Sequence, residues 1–312
     1  MNNFAPVLIP TLCRYEHFKR CVESLSACTH ADKTDLFVAL DYPLNESHWE
    51  GYRKIEAYLG EIKGFASVNI TKRDKNYGAS KNNSGVRKKI FEKYDRLIYS
   101  EDDNEFSPNF LDYMNKGLDK FENDPRVHAI CGYNYPIEMP PEYPYNFYVW
   151  KGFNAWGYGI WKDRQIKIQR DYNQDYVTRF LSHVPNMYRL TRYADHYLGS
   201  MLSMHETKSL YGDMVRSSLL VLEDTYCVFP AISKVRNHGF DGSGLHCGIR
   251  KGENVYHSQA IDTELSFDYD LIDVKENSLI NSTLRSHFSI GLKTKIKLFV
   301  KYLLFLLRVK KK

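Results

Sequence analysis

The stretch Arg96-Leu-Ile-Tyr-Ser-Glu-Asp-Asp-Asn104 decides the fold. Its apolar run at 97–99 predicts a short buried strand. Glu101, Asp102 and Asp103 follow directly, and three adjacent carboxylates repel one another unless a cation lies between them. The loop after a parallel strand is also where open α/β sheets bind ligands. The stretch therefore predicts either an acidic ligand-binding loop, suited to Mg²⁺ or Mn²⁺, or a solvated acidic turn before the next helix.

Strands and helices alternate on both sides of this stretch. The sequence predicts strands over 4–10, 35–41, 66–70, 97–99 and 127–131, and helices over 15–28, 47–62, 79–94 and 108–121. Such alternation indicates an α/β fold with a mostly parallel central sheet flanked by helices.

The pattern changes after Gly132. Residues 133–150 are rich in Pro and Tyr and predict a long ordered loop. Further along, the sequence predicts helices over 163–182 and 186–205, a strand over 224–230 and a glycine-rich loop over 237–246. Residues 250–290 carry no pattern from which we predict structure.

Charge is unevenly distributed along the 312 residues. The formal net charge is +5, yet residues 293–312 contain eight Lys and Arg and no acidic residue, which leaves −3 on the rest. A nucleic-acid-binding body needs a basic face, so we expect no nucleic-acid partner.

The basic tail predicts a C-terminal amphipathic helix. On a helix from residue 293, one stripe is basic (Lys293, Lys297, Lys301, Arg308) and much of the remainder is apolar (Ile296, Phe299, Leu303, Leu306, Leu307). Its unbroken apolar run is much shorter than the ~20 residues needed to span a bilayer. We expect it to lie on an anionic membrane surface. The alternative is a helix docked on the protein's own core.

The six cysteines form no CxxC pair and no zinc-ligand spacing. The first ten residues lack the pattern of a signal peptide. We therefore expect reduced thiols in a cytoplasmic protein, peripheral on the inner face of the plasma membrane.

Four features occur in a recognisable order: the Thr11-x-x-Arg14 loop, Asp41 at a strand end, the turn at 76–83 and the acidic triplet at 101–103. Over about residues 4–135 this order resembles the GT-A (Rossmann-like) nucleotide-sugar glycosyltransferases, most closely the inverting family 2 enzymes. Trp156-Gly-Tyr-Gly-Ile-Trp161, with the Lys-Asp-Arg that follows, is similar to a segment of bacterial cell-surface polysaccharide transferases. The glycine-rich loop is similar to their closing loop.

The resemblance implies roles for the donor-binding residues. It implies a divalent metal, Mn²⁺ or Mg²⁺, on Asp103, with Asp102 on the ribose or on water bound to the metal, and Glu101 on the donor sugar. A uracil-type base would meet Asp41, and Arg14 could clamp a diphosphate. The residues expected at the donor nucleotide are Thr11, Arg14, Asp41, Arg73, Gly78, Lys81, Asn82 and Asp102.

Inversion needs one general base for the acceptor hydroxyl. Asp213 is the candidate, because Gly212 interrupts the chain just before an apolar run. Asp213 as a helix N-cap is the structural alternative, and Glu223 and Asp224 are rivals for the role.

Further contacts are expected from the two later motifs. His246 is expected as a second metal ligand, although His238 and Asp241 share its loop. Trp156, Tyr158 and Trp161 are expected to wall the acceptor or sugar site; core packing is their alternative role.

The sequence thus predicts a catalytic domain at 1–250, with a nucleotide-sugar half at 1–135 and an acceptor half at 136–250. An extension at 251–292 and the membrane-binding helix at 293–312 follow. The expected function is inverting transfer of a sugar, from a UDP-sugar by preference, to a glycan or lipid-linked oligosaccharide in surface polysaccharide synthesis. A sugar nucleotidylyltransferase is a weaker alternative, because the first loop lacks glycine. A non-catalytic sugar-binding protein of the same fold is the third.

Overall fold

The computed structural model describes residues 4–244, 255–270 and 274–309. An eight-stranded sheet lies at its centre, in the order β3-β2-β1-β4-β8-β6-β9-β7. Only β7 and β8 run antiparallel to the other strands of this sheet, so the predicted mostly parallel α/β sheet is confirmed. A separate antiparallel ladder joins β5 and β10. The strands are β1 (Val7–Thr11), β2 (Asp35–Leu40), β3 (Ser67–Lys72), β4 (Arg96–Tyr99), β5 (Asn104–Phe106), β6 (Val127–Cys131), β7 (Phe147–Trp150), β8 (Tyr158–Trp161), β9 (Tyr226–Pro230) and β10 (Val235–Asn237).

Side chains alternate along each strand, so apolar residues line both faces of the sheet. Helices cover both of these faces. Val7 and Ile9 of β1 belong to one buried cluster and Leu8 to the other. The first cluster includes side chains of α1, α2 and α4, and the second includes those of α3 and of the helices that follow β8. The helices are α1 (Tyr15–Ser26), α2 (Trp49–Tyr58), α3 (Gly78–Ile90), α4 (Phe110–Lys120), α5 (Lys162–Asp171), α6 (Gln174–Ser182), α7 (Val184–Thr191), α8 (Tyr197–Thr207), α9 (Gly212–Glu223), α10 (Val255–Ser258), α11 (Ser278–His287) and α12 (Leu292–Val309).

The second half departs from the predicted elements in two ways. The predicted loop at 133–150 contains β7, and the glycine-aromatic segment contains β8, whose residues are all buried. A strand buried on both faces shows no polar alternation, so its period is hidden. Each of the two helices predicted over 163–182 and 186–205 is in fact a pair of shorter helices, α5 and α6 in the first case and α7 and α8 in the second. Asn173 caps α6 by accepting from Tyr176 N at 2.8 Å, and Pro185 lies in the first turn of α7.

The C-terminal segment packs on the body. Ile280 and Leu284 of α11 are fully buried in the same cluster as the residues of α5–α9. The hydroxyl of Tyr302 on α12 donates to Leu181 O at 2.8 Å. Residues of the predicted extension therefore share one hydrophobic core with α5–α9. Across the described residues, no helix has the length and apolar character required to span a bilayer.

Candidate active site

Four of the sequence-predicted residues meet at one edge of the sheet. β1 to β4 are parallel neighbours, so their carboxyl ends lie side by side. Thr11 ends β1, Asp41 follows β2, Arg73 follows β3 and Glu101 lies just beyond β4. Backbone hydrogen bonds continue past the strands, from Asp41 N to Thr11 O and from Arg73 N to Leu40 O, each 3.0 Å. The edge is therefore fixed by main-chain pairing.

Asp102 and Asp103 are buried at this edge and share one cation. Arg14, at the start of α1, places Nη2 on Oδ1 of Asp102 and Nη1 2.8 Å from Oδ2 of Asp103. Thr11 donates its hydroxyl to the other oxygen of Asp102 at 2.8 Å. Burial raises the pKa of Asp102, while Arg14 counteracts that rise. Sequence motifs 88 residues apart therefore form one charged cluster.

The glycine-rich loop contacts the acidic triplet. β10 pairs with β5, which brings Asn237 opposite Asn104. Asn237 Nδ2 donates to Asp103 Oδ1 at 2.8 Å, and the backbone of His238 donates to Asp103 O at 2.8 Å. A Cβ built on Gly239 would come within 2.3 Å of Asp103 Oδ2. Glycine at 239 is therefore what permits the close approach.

Two histidine–carboxylate contacts tie the loop to the body. His238 Nε2 lies 2.6 Å from Glu105 Oε2, and His17 Nε2 on α1 lies 2.8 Å from Asp241 Oδ2. His238 and Asp241 are thus engaged in holding the loop. His246 lies outside the described residues, and its role as a second metal ligand stays a prediction.

Asp213 is brought to the triplet from more than a hundred residues away. Asp213 lies in the first turn of α9, and its side chain is exposed. Partial desolvation by the surrounding protein nevertheless raises the pKa of this carboxyl group to about 6. Arg216 and a hydrogen bond from the backbone of Ala155 oppose that rise. The pKa of Glu101 is raised well above its usual range, first by burial and then by the negative charges of Asp103 and Asp213. The three carboxylates therefore interact electrostatically. An accessible carboxylate whose pKa is raised towards neutral pH is suited to act as a base.

The rivals of Asp213 lie elsewhere. Glu223 is the last residue of α9, ten residues or about 15 Å along the helix from Asp213. Asp224 follows in a left-handed conformation (φ 59°) and pairs with the buried Lys151. Of the three acids, only Asp213 is among the main charges that raise the pKa of Glu101.

Asp41 faces the start of α3. The backbone N–H groups of Tyr42 and Tyr77 both donate to its Oδ1, at 2.9 Å. Gly78 begins α3 with φ 72°, in the left-handed region that favours glycine. Lys81 is exposed on the first turns of this helix. The arrangement places a helix N-terminus, which favours negative charge, beside Asp41.

Arg73 is held at this edge by Asn82. Its Nε donates to Asn82 Oδ1 at 2.8 Å, and its guanidinium lies 4.8 Å from the ring centroid of Tyr77. Asn82 is buried and donates its Nδ2 to Ala39 O at 2.8 Å. Asn82 therefore positions Arg73 through hydrogen bonds to protein.

The three aromatic residues of the Trp156–Trp161 segment separate. Trp156 lies edge-on to Phe240 of the glycine-rich loop, with ring centroids 5.6 Å apart. Tyr158 is buried in the core beside Tyr99, and the centroids of the two rings lie 5.3 Å apart. Trp161 ends β8 opposite Arg96, at the far end of the sheet. The structure thus brings Trp156 to the glycine-rich loop and leaves Tyr158 and Trp161 in the core, which was their alternative role.

Sequence reasoning missed Asn237 and Glu105 as parts of the site. Both belong to the β5–β10 ladder, which joins residues about 130 positions apart. The signal was Asn237 at the start of the glycine-rich loop and Glu105 beside the acidic triplet. Asn237 contacts Asp103 and Glu105 contacts His238 only because β5 pairs with β10, and the sequence gives no sign of that strand pairing.

The carboxylate pair fits a divalent cation by its chemistry. Asp102 and Asp103 each turn one oxygen towards the same guanidinium, so they converge on a single cation. Mg²⁺ and Mn²⁺ prefer such oxygens and often take one or two carboxylates, completing their shell with phosphates and water. Within residues 4–244, 255–270 and 274–309, no three His, Cys, Asp or Glu side chains are grouped to hold a metal. A divalent metal is therefore compatible with the site if a substrate shares its coordination.

No protein-family model and no curated protein sequence matches the chain. It is similar in structure to solved glycosyltransferases. These include a mannosyltransferase from Pyrobaculum calidifontis in complex with GDP-Man and Mn²⁺ (12% identity, TM-score 0.35, 51% of this chain and 44% of that chain). Mouse xyloside xylosyltransferase 1 (12%, 0.33, 52% and 69%) and GlyE from Streptococcus pneumoniae (15%, 0.36, 72% and 44%) are others.

The matched region spans less than half the length of the mannosyltransferase and of GlyE. Likeness of this extent concerns the course of the chain, so function has to be inferred from the side chains of the site.

Proposed function

We propose that the chain is a glycosyltransferase that moves a sugar from a nucleoside diphosphate donor to a hydroxyl of a glycan or lipid-linked acceptor. One observation carries the proposal. The charge of the distant Asp213 acts on Glu101 of the acidic triplet at the end of β4, and the glycine-rich loop contacts Asp103 of the same triplet. A leaving-group site and a general base are the two parts that direct glycosyl transfer requires.

Asp213 is the proposed base. A carboxylate with a pKa of about 6 is mostly ionised at neutral pH and is still a stronger base than an ordinary aspartate. It would take the proton of the acceptor hydroxyl as that oxygen attacks the anomeric carbon. Attack opposite the leaving group inverts the configuration, in agreement with the resemblance to family 2 enzymes.

Asp103 and Asp102 are the proposed holders of a divalent cation, and Glu101 is placed to meet the donor sugar. Bound Mn²⁺ or Mg²⁺ would neutralise the charge that develops on the departing nucleoside diphosphate. Thr11 orients Asp102 through its hydroxyl, and Asn237 orients Asp103 through its amide. These contacts fix the carboxylates before substrate arrives.

Asp41 supports uridine as the base of the donor. The hydrogen bonds that described residues donate to its side chain both end on Oδ1, which leaves Oδ2 for the N3–H of a uracil. Arg73 beside it offers a planar cation for stacking. We therefore propose a UDP-sugar as donor, with Gly78 and Lys81 at the helix start nearby.

An anionic membrane surface is the proposed partner of α12. Tyr302 and Phe305 bury one face of this helix against the body. The opposite side of α12 leaves large apolar side chains 44–72% exposed: Leu292, Ile296, Phe299, Val300, Leu303, Leu304 and Leu307. Lys293 and Lys297 flank them on the same helix. A docked helix with an exposed apolar face and a basic border matches the bilayer interface in both polarity and charge.

Surface polysaccharide synthesis at the cytoplasmic membrane face is the proposed setting. Such acceptors are carried on lipids, and a membrane-bound enzyme meets them at high effective concentration. Helix α12 packs on α8, which belongs to the proposed acceptor half, and Lys301 Nζ lies 2.7 Å from Glu206 Oε2 on that helix. Membrane binding through α12 would therefore hold the proposed acceptor half close to the bilayer.

Incubation of the full chain with UDP-sugars, Mn²⁺ and lipid-linked or soluble glycan acceptors tests the proposal. We expect release of UDP without pyrophosphate, and glycosylated acceptor by mass spectrometry. Asp103→Ala should abolish both signals. Release of pyrophosphate instead would identify a nucleotidylyltransferase. Nucleotide binding without turnover, unchanged in Asp103→Ala, would identify a non-catalytic binding protein.

A further inference from the structure

Arg14 takes the position between the two aspartates where the proposed cation would bind. Its Nη2 bonds Oδ1 of Asp102 and its Nη1 faces Oδ2 of Asp103. The remaining oxygens are satisfied by neutral donors, Thr11 on Asp102 and Asn237 on Asp103. Each carboxylate therefore has one oxygen fixed by the fold and one directed at the guanidinium.

The two contacts of Arg14 differ in quality. Nη2 makes a hydrogen bond to Asp102. Nη1 lies 2.8 Å from Asp103, yet it makes no hydrogen bond in the part of the chain that the structure describes. An arginine built only to bridge carboxylates usually aligns both N–H groups in its planar fork. Arg14 is thus paired in charge to Asp103 without full directional bonding.

We propose that Arg14 is the resident cation of this site and exchanges with the divalent cation when the donor binds. This inference rests on the proposed function and adds a mechanism that couples binding of the metal to binding of the donor. The guanidinium would leave the carboxylates as the metal takes its place, and would pair with the donor's diphosphate. One arginine would serve the carboxylates in the donor-free protein and the phosphates in the complex.

Electrostatics makes this exchange cooperative. Without a nucleotide, a metal must break the contacts of Arg14 and leave a largely buried guanidinium beside a second cation. That displacement costs Coulomb energy and the hydrogen bond to Asp102. A diphosphate supplies new partners for Arg14, so metal and donor should each raise the affinity of the other by the same factor.

Calorimetric titration of Mn²⁺ into the full-length chain, with and without UDP or GDP, tests the exchange. In the wild type we expect weak binding of Mn²⁺ alone and at least tenfold tighter binding with the nucleotide. Arg14→Gln should bind Mn²⁺ alone at least tenfold more tightly than the wild type and lose most of the coupling. Arg20→Gln is the matched control, because it removes the same charge from an exposed position on the same helix. It should behave as the wild type.

The outcomes separate the exchange from the proposed function. Equal Mn²⁺ affinity in the wild type and a folded Arg14→Gln would overturn the exchange and leave the glycosyltransferase proposal standing. No Mn²⁺ binding by either protein, with or without a nucleotide, would overturn both the exchange and metal dependence. If Arg14→Gln does not fold, the wild type still decides, because less than threefold coupling between Mn²⁺ and both nucleotides contradicts the exchange.

Discussion

The two halves of the molecule reach the site by different routes. In residues 4–131, the site residues follow their strands directly, and parallel pairing brings them to one edge. In the second half, Asp213 arrives through the packing of α9 on the body, and its position depends on tertiary contacts such as the one from Ala155. The strand ends of the first half, together with the glycine-rich loop that contacts Asp103, should therefore govern donor binding, and Asp213 on α9 should govern turnover. Variants in each half can test this division.

Asp213→Asn should have the largest effect. Loss of the base should lower kcat by about three orders of magnitude, within the usual range for general-base catalysis, while the affinity for UDP changes less than threefold. Steady-state kinetics and calorimetry measure the two quantities. Glu223→Gln, at the other end of α9, is the control and should keep wild-type kcat. A parallel loss of UDP affinity in Asp213→Asn would break the division between the halves.

Gly239→Ala tests the contact between the loop and the triplet. An added Cβ would come within 2.3 Å of Asp103 Oδ2, so the loop or the carboxylate must shift. We expect donor affinity in the presence of Mn²⁺ to fall about thirtyfold, or about 2 kcal/mol, comparable to losing a charge-assisted contact. Gly291→Ala, where a Cβ meets nothing within 4 Å, should bind donor normally. Normal affinity in Gly239→Ala would show that the loop stands off Asp103 in solution.

The pH dependence of turnover should report Asp213. Desolvation raises its pKa to about 6, and the base acts only when ionised. Activity should therefore be nearly full above pH 7 and should fall about tenfold between pH 7 and pH 5, as protonation removes the base. The kcat profile at saturating donor and acceptor measures this. An inflection near pH 4 would indicate a fully solvated carboxylate, and no inflection would assign the base elsewhere.

The same contrast explains what the sequence could and could not predict. The triplet, Asp41 and the first five strands of the central sheet (β1 to β4 and β6) were readable because strand ends follow local hydrophobic runs. Trp156 and Trp161 could not be told apart, since only the antiparallel course of β8 sends one to the site and the other to the far end. The ladder between β5 and β10 was also hidden, because three-residue strands carry no period.

The C-terminal helix is a second case in which the sequence pattern did not predict the tertiary contacts. A basic amphipathic pattern predicts one polar and one apolar face, and it led to two alternatives, the membrane or the protein's own core. In the structure α12 has two apolar faces, one docked through Tyr302 and Phe305 and one exposed. A single helical projection does not separate them, because both are apolar and adjacent in sequence.

Leu303→Ser should have a small effect and should leave the candidate active site untouched. Leu303 is 44% exposed on the outer face of α12. Partial loss of apolar burial in the interface should weaken binding to vesicles containing anionic phospholipid by about 1 kcal/mol, or about fivefold. Activity on a soluble acceptor should stay within twofold, because the side chain lies on the exposed face of the helix. Vesicle co-sedimentation and soluble-acceptor kinetics measure the two effects.

Tyr302→Phe sharpens this result, because it removes a hydroxyl from the docked face of the same helix. Loss of its bond to Leu181 O should lower the free energy of unfolding by about 1 kcal/mol and leave vesicle binding unchanged. The two variants therefore separate the two faces: Leu303→Ser affects the membrane and Tyr302→Phe affects the fold. Equal vesicle binding by Leu303→Ser and the wild type would mean that the outer face of α12 does not enter the bilayer, and the anchor would have to be sought elsewhere on the chain.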